Sequence, residues 1–216
     1  MRPFAALLQH EFLLEWRHRN ALGGVFLYVL STVFVVYMTF KVVPPLAWIA
    51  LYWVILLFAG TNAVAKSFLQ LAPGRMLYYY SMVHPLQLLW AKFIYNTLLL
   101  WVIHALTALS MSLLVGNPVQ DLTWFMLTGM AGTFGFSAIL TLIAAIAHKA
   151  SNQSTLMAIL SFPVLLPVLV LVIRLSKQAV DGLDRSVGYG LFTNLLAIDL
   201  LVLAVALLLF PYLWKD

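Results

Sequence analysis

The positions in this chain that could do chemistry are few, and most lie inside apolar runs. Asp199 sits in the last such run, about ten residues from either end. A charge at mid-bilayer costs about 2.5–3.5 kcal/mol on insertion scales, so a carboxyl there must face protein or water and find a partner. It reads either as a proton or substrate site, or as a protonated or hydrogen-bonded carboxyl that fixes helix packing. His104 lies in another run, on one helical face with Thr97, Trp101, Ala108 and Met111. A histidine with a methionine suggests axial ligation of a porphyrin iron. His104 and Met111, however, are seven residues apart on one helix and cannot reach opposite faces of one iron. The simpler reading is a histidine hydrogen-bonded to a neighbouring helix.

Two further signals concern shape. Pro163 and Pro167, in the stretch FPVLLP, each remove an amide donor and crowd the preceding turn. Two of them on one face predict a kink or a local unwinding, of use to a moving gate or simply a static bend. The stretch Thr128 to Ser137, TGMAGTFGFS, spaces small residues four apart, with Gly132, Thr133 and Gly135 among them. Small residues let membrane helices approach closely, so this is a helix-packing signal.

A different kind of segment runs from Lys66 to Lys92, with three basic residues (Lys66, Arg75, Lys92) and no carboxylate. Pro73-Gly74 breaks it with a turn signature. Between that turn and His84-Pro85 come Met76, Leu77, Tyr78, Tyr79, Tyr80 and Met82. This is too apolar for a solvated loop and too closely punctuated to span a bilayer. Two readings stand: a helix lying on lipid, where tyrosine is half wet and half buried, or a docking ridge for a soluble partner.

The elements that must position these residues follow from composition. Of 216 residues 64% are hydrophobic and 9% charged, and the mean hydropathy is +1.01. A soluble domain carries roughly 25% charged residues. The chain is therefore expected to be an all-α integral membrane protein forming a single membrane domain. Six apolar runs are long enough to cross a bilayer: Ala21–Phe40, Leu46–Ala65, Leu86–Val115, Leu122–Ala147, Leu156–Ile173 and Leu191–Leu213. Residues 1–20 read as an interfacial helix ahead of a bundle over 21–213, and not as a cleavable signal, since Glu11, Glu15, Arg17 and Arg19 interrupt the apolar character. Lys and Arg divide eight against four between the two sets of linkers, which places both termini in the cytoplasm. The Arg174–Gly190 linker is then external and has room for a short surface helix.

The net charge of +5 sits beside apolar runs, so lipid headgroups explain it and nucleic acid does not. With no cysteine there is no disulfide, iron–sulfur ligation, covalent haem attachment or thiol chemistry. There is no nucleotide-binding P-loop, no HExxH and no GxSxG. No catalytic or metal-ligating set is expected, and an energy-driven function needs an ATPase on another chain.

Against these motifs the chain resembles the haem exporter protein B (CcmB) family, permease subunits of ABC transporters used in c-type cytochrome maturation. Glu11 with Arg17-His18 resembles the family's entry into the first span. Ala91-Lys92 resembles the close of its cytoplasmic loop. Thr133, Gly135 and Phe136 match a Thr-x-Gly-Phe in the fourth span, and Pro163 and Pro167 a Pro-x3-Pro in the fifth, the most specific of these signals. Two features depart from the family pattern: no acidic residue lies between Ala65 and Lys92, and the turn before the fifth span is Lys149-Ala-Ser-Asn-Gln.

The resemblance implies an ABC-2 or type V exporter-like bundle in the bacterial inner membrane, non-catalytic and working as a homodimer. It also implies a cytoplasmic CcmA-like ATPase that binds the ATP, a haem-handling CcmC-like membrane protein and a small CcmD-like partner. Haem stands as a candidate substrate, with no cofactor bound by this chain itself. The ATPase-coupling residues expected on this basis are Glu11, Arg17, Arg75, Tyr78, Tyr79, Tyr80, Met82 and His84. The alternatives are an ABC-2-type permease for a lipid or glycan, an electron-transfer protein using His104 for haem, and a passive assembly scaffold.

Overall fold

The computed structural model describes residues 19–69, 85–147 and 153–215. The described residues fold as six α-helices with one short 3-10 turn and no strand: α1 (Arg19–Thr39), α2 (Pro45–Leu69), α3 (Pro85–Leu114), α4 (Leu122–Ala147), α5 (Gln153–Asp181), the 3-10 turn Arg185–Gly188, and α6 (Tyr189–Lys215). Five of these carry windows apolar and long enough to cross a membrane, and α1 contributes the apolar stretch Gly23–Thr39. Each apolar run of the sequence falls inside one helix to within a residue at its ends. Backbone polar groups in hydrocarbon must be satisfied within the segment, which is why these runs are helices and nothing else.

Two helices begin on proline, Pro45 and Pro85, a position where the missing N–H costs nothing. α4 is preceded by Asp121, whose side chain accepts from the Trp124 amide at 3.0 Å and so caps an orphan donor. The turn before it uses Gly116 at φ 104°, and Gly182 at φ 67° ends α5. Both lie in the left-handed region that favours glycine.

Boundaries differ from the expectation at charged residues. The fifth run stops at Ile173 in hydropathy, but α5 continues to Asp181. Arg174 and Lys177 are thus exposed helical residues and not part of a linker. The linker expected to be external shrinks to Gly182–Asp184 plus the 3-10 turn. Nothing in RLSKQAVD breaks a helix, and 29 residues at about 1.5 Å each outrun a hydrocarbon core of about 30 Å. Hydropathy falls where the helix leaves lipid, not where it ends. Likewise α2 reaches Leu69, so Lys66 is helical. Lys92 lies in the second turn of α3 and is only 2% exposed. The expected interfacial helix over residues 1–20 falls almost wholly outside the described residues.

α4 is the centre of the bundle. It packs against α2, α3, α5 and α6, and its buried residues run from Trp124 to Ala147. α6 turns most of its length outward, with Leu200, Leu201 and Leu208 all more than 60% exposed, as expected of a helix that meets lipid or another chain.

Candidate functional site

In a bilayer, helices gain little from hydrophobic contact with each other, since lipid is as apolar as leucine. Close packing and interhelical hydrogen bonds hold them instead. α4 supplies the close packing through three glycines, each facing a different helix. An added Cβ at Gly129 would collide with the His104 ring on α3. At Gly132 it would meet Val172 on α5, with Trp53 of α2 at 3.4 Å. At Gly135 it would meet the Asp199 carboxyl on α6. Thr133 between them is buried and returns its hydroxyl to the Gly129 carbonyl at 2.9 Å. Phe136, also fully buried, meets Trp53 edge to face at 5.9 Å.

His104 is 1% exposed. Its Nδ1 is hydrogen-bonded to the Tyr52 hydroxyl of α2, and its ring stacks on Phe125 at 6.2 Å. Trp48 stacks on Tyr52 at 5.5 Å, closing an aromatic box. Nε2 makes no geometrically sound hydrogen bond, although the Met126 backbone lies nearby. The geometry is that of a histidine tied to a neighbouring helix. Met111 is buried on the same face of the same helix, about two turns further on.

Asp199 is fully buried, yet both of its carboxyl oxygens lack a hydrogen-bond partner. Asp199 borders an apolar groove of about 400 Å³ between α3, α4 and α6, which is otherwise lined by Trp101, Phe134, Phe192 and other apolar side chains, but its carboxyl is turned onto Gly135. His104 and Asp199 are not a pair. They press on glycines six residues apart along α4, about 9 Å along the axis and on different faces.

Pro163 and Pro167 lie within an α5 that is helical without interruption from Gln153 to Asp181. The local unwinding expected there does not occur, because the flanking turns carry the helix across the missing donors. The two prolines face α6 across a groove of about 770 Å³ that also includes Asn194 and Ile198.

Several bonds between helices were not anticipated from the sequence. The Trp53 indole donates to Ser176 at 2.9 Å, linking α2 to α5. Asn96 donates to Thr141 at 2.9 Å and Thr97 to Ser137 at 2.9 Å, linking α3 to α4. Tyr52, Trp53 and Asn96 are polar-tipped residues in mid-span, and that was the available signal. At the opposite end from the Lys66 side, Arg185 grips Asp121 with two bonds of 2.6 and 2.9 Å. The Arg185 guanidinium, helped by the Trp124 amide, holds the Asp121 carboxyl below the usual carboxylate range.

Glu11, Arg17, Arg75, Tyr78, Tyr79, Tyr80, Met82 and His84, the residues expected to meet an ATPase, all lie outside the described residues. What the described helices fix is where that segment is tethered, between Leu69 and Pro85. Compared with known proteins, the chain matches a family model described as CcmB protein over residues 2–212. No curated protein matches it.

Proposed function

Because the chain belongs to the CcmB protein family, we propose that it is the permease subunit of an ABC transporter serving c-type cytochrome biogenesis in the bacterial inner membrane. The family match over nearly the whole length carries this reading. The chain itself is non-catalytic, and ATP is hydrolysed on a separate CcmA-like chain. Two copies work together, beside CcmC-like and CcmD-like membrane proteins, with both termini in the cytoplasm. The work driven by ATP is haem export or release of a haem-loaded chaperone.

The bundle suits a push delivered from the cytoplasm. The segment containing Arg75, Tyr78, Tyr79, Tyr80, Met82 and His84 joins α3 directly, since Pro85 is the first residue of that helix. α3 is bonded to α4 through Asn96–Thr141 and Thr97–Ser137. α4 in turn packs its glycines against α5, which holds Pro163 and Pro167, and against α6. A displacement of α3 therefore has a packed route to the proline-bearing helix. Glu11 and Arg17 are assigned to the same cytoplasmic contact.

The test is recovery of the ATPase with this chain from solubilised membranes. Alanine at Tyr79 or Tyr80 removes an aromatic anchor, with an expected cost of about 2 kcal/mol, roughly thirtyfold in affinity. Arg75→Glu weakens recovery further if the facing groove is acidic. Undiminished recovery with all three tyrosines and Arg75 replaced overturns the docking role and leaves the segment a lipid-surface element.

A further inference from the structure

We infer that the cleft between α1 and α2, at the end of the bundle opposite the outer turns, binds the phosphate of an anionic phospholipid, with Lys66 as its cation. This stands apart from the ATP-driven reading and does not depend on it. A cavity of about 160 Å³ is lined there by Gly24, Val25 and Tyr28 of α1 and by Ala59, Asn62 and Lys66 of α2. Small residues make it, since Gly24 and Ala59 leave space unfilled between two helices that otherwise pack together. A Cβ added at Gly24 would lie 3.6 Å from Lys66 Nζ, so the ammonium borders the space that a larger side chain would take.

Charge and depth narrow the class. Lys66 makes no hydrogen bond or ion pair among the described residues. α1 and α2 contain no Asp or Glu. The described carboxylates lie elsewhere, Asp121, Asp181 and Asp184 at the outer turns and Asp199 against Gly135. A cation with no carboxylate beside it calls for an anion, and a phosphate oxygen accepts strongly from an ammonium. The apolar stretch of α2 runs Pro45–Lys66, 22 residues, about 33 Å of helix against a hydrocarbon core of about 30 Å. Lys66 therefore lies where hydrocarbon gives way to headgroups. Asn62, one turn deeper, spends one amide N–H on the Phe58 carbonyl at 2.9 Å and keeps a second for an acceptor. The ester carbonyls of a diacyl lipid lie at that depth. Val25 is buried, and the Tyr28 side chain leans over the turn that holds Gly24, so the wall below the ammonium is apolar. The volume is under the roughly 300–1,000 Å³ of small-molecule pockets, which suits one headgroup whose acyl chains stay in the bilayer. An ethanolamine headgroup brings an ammonium of its own, with no described carboxylate to meet it, so phosphatidylglycerol is preferred over phosphatidylethanolamine.

Native mass spectrometry of the full chain, released from detergent after incubation with equal amounts of phosphatidylglycerol and phosphatidylethanolamine, tests this. The expected result is one phosphatidylglycerol retained per chain in preference to phosphatidylethanolamine. Lys66→Gln is expected to lower that retention about tenfold, the ratio that one charge-assisted hydrogen bond commands. Gly24→Leu keeps the charge but fills the cleft, and is expected to lower it as well. Gly23→Leu, where an added Cβ meets nothing within 4 Å, and Lys177→Gln, at the other end of the bundle, are expected to leave it unchanged. Unfolding temperature in detergent gives a second reading: phosphatidylglycerol is expected to raise it for the wild-type chain and not for Lys66→Gln. Equal retention of the two lipids by the wild-type chain overturns the preference for an anion. Undiminished retention in both Lys66→Gln and Gly24→Leu overturns the site. Displacement of the lipid by an equal concentration of inorganic phosphate overturns the lipid as the source of the phosphate.

Discussion

At the scale of single residues, the sharpest constraint is the contact between Gly129 and His104. A methyl at Gly129 falls 2.6 Å from Nε2 and 3.0 Å from Nδ1. The ring cannot retreat, because Tyr52 holds it on one side and Phe125 on another. Overpacking of this kind costs about 1–3 kcal/mol. Tyr52→Phe instead leaves Nδ1 without its partner, and hydrogen bonds between membrane helices average about 0.6 kcal/mol. Gly129→Ala is therefore expected to lower the unfolding temperature in detergent more than Tyr52→Phe does. Gly23→Ala, which meets nothing within 4 Å, is expected to change it little. The reverse order would mean that the hydrogen bond, not the close approach, holds α2, α3 and α4 together here. The small residues of α4 were legible in the sequence as a packing stripe. Which helix each one meets was not, because a stripe records only that something must come close. The same limit applies to Asp199: its depth can be counted along the chain, but its lack of a partner depends on how α6 is rotated against Gly135.

At the scale of elements, α5 and the outer turns behave differently. Pro163 and Pro167 deprive the carbonyls four residues earlier of their helical donors, yet α5 stays helical through them. Replacing both with alanine restores those bonds and stiffens the helix. If the freed carbonyls let α5 bend during the transport cycle, the double variant inserts normally but supports less c-type cytochrome. Haem-stained cytochrome levels set against the membrane level of this chain read the difference, and normal maturation removes the prolines from the mechanism. The outer turns are held by Arg185 on Asp121, between the start of α4 and the 3-10 turn. The Asp121 carboxyl is held below its ordinary range. Its contribution is thus present above the unfolded pKa of about 3.9 and is lost as pH falls through the lower folded value. The pair is exposed, so the effect is local. A spin label on a cysteine at Ser186 is expected to stay immobile from neutral pH down to about the unfolded carboxylate pKa and to loosen only below it. Asp121→Asn keeps a capping side chain but loses the ion pair, so it should show the loosened label already at neutral pH.

At the scale of the whole molecule, alternation of the spans follows from contacts at one end. Asp121 reaches Arg185, the Asp121 amide donates to Ala179 at 2.9 Å, and the Trp48 indole donates to the Gly116 carbonyl at 3.0 Å. The α1–α2, α3–α4 and α5–α6 connections therefore share one face of the bundle, and the last turns of α2 and α4 and the first turns of α3 and α5 lie at the other. The six apolar helices among the described residues and this alternation were both readable from apolar runs and turn residues. The helix ends were not, since α5 passes through Arg174 and Lys177 without a break, and hydropathy reports the lipid boundary only. The shift of Arg174 and Lys177 from loop to helix leaves them on the same side, so the count of basic residues that orients the chain is unchanged. Lys41, Arg174, Lys177 and Arg185 lie at the end of the short outer turns; the sequence assigns the other eight Lys and Arg residues to the opposite side, and the richer side is expected to be cytoplasmic. The chain has no cysteine, so single cysteines report their own side. Asp181→Cys, at an exposed position at the end of α5, is expected to react with a membrane-impermeant maleimide on intact spheroplasts. Gly74→Cys, in the α2–α3 connection, is expected to react only after the membrane is opened. Reaction at both positions in intact spheroplasts would reverse the orientation for that connection. It would also place the tyrosine-rich segment beyond the reach of any cytoplasmic ATPase.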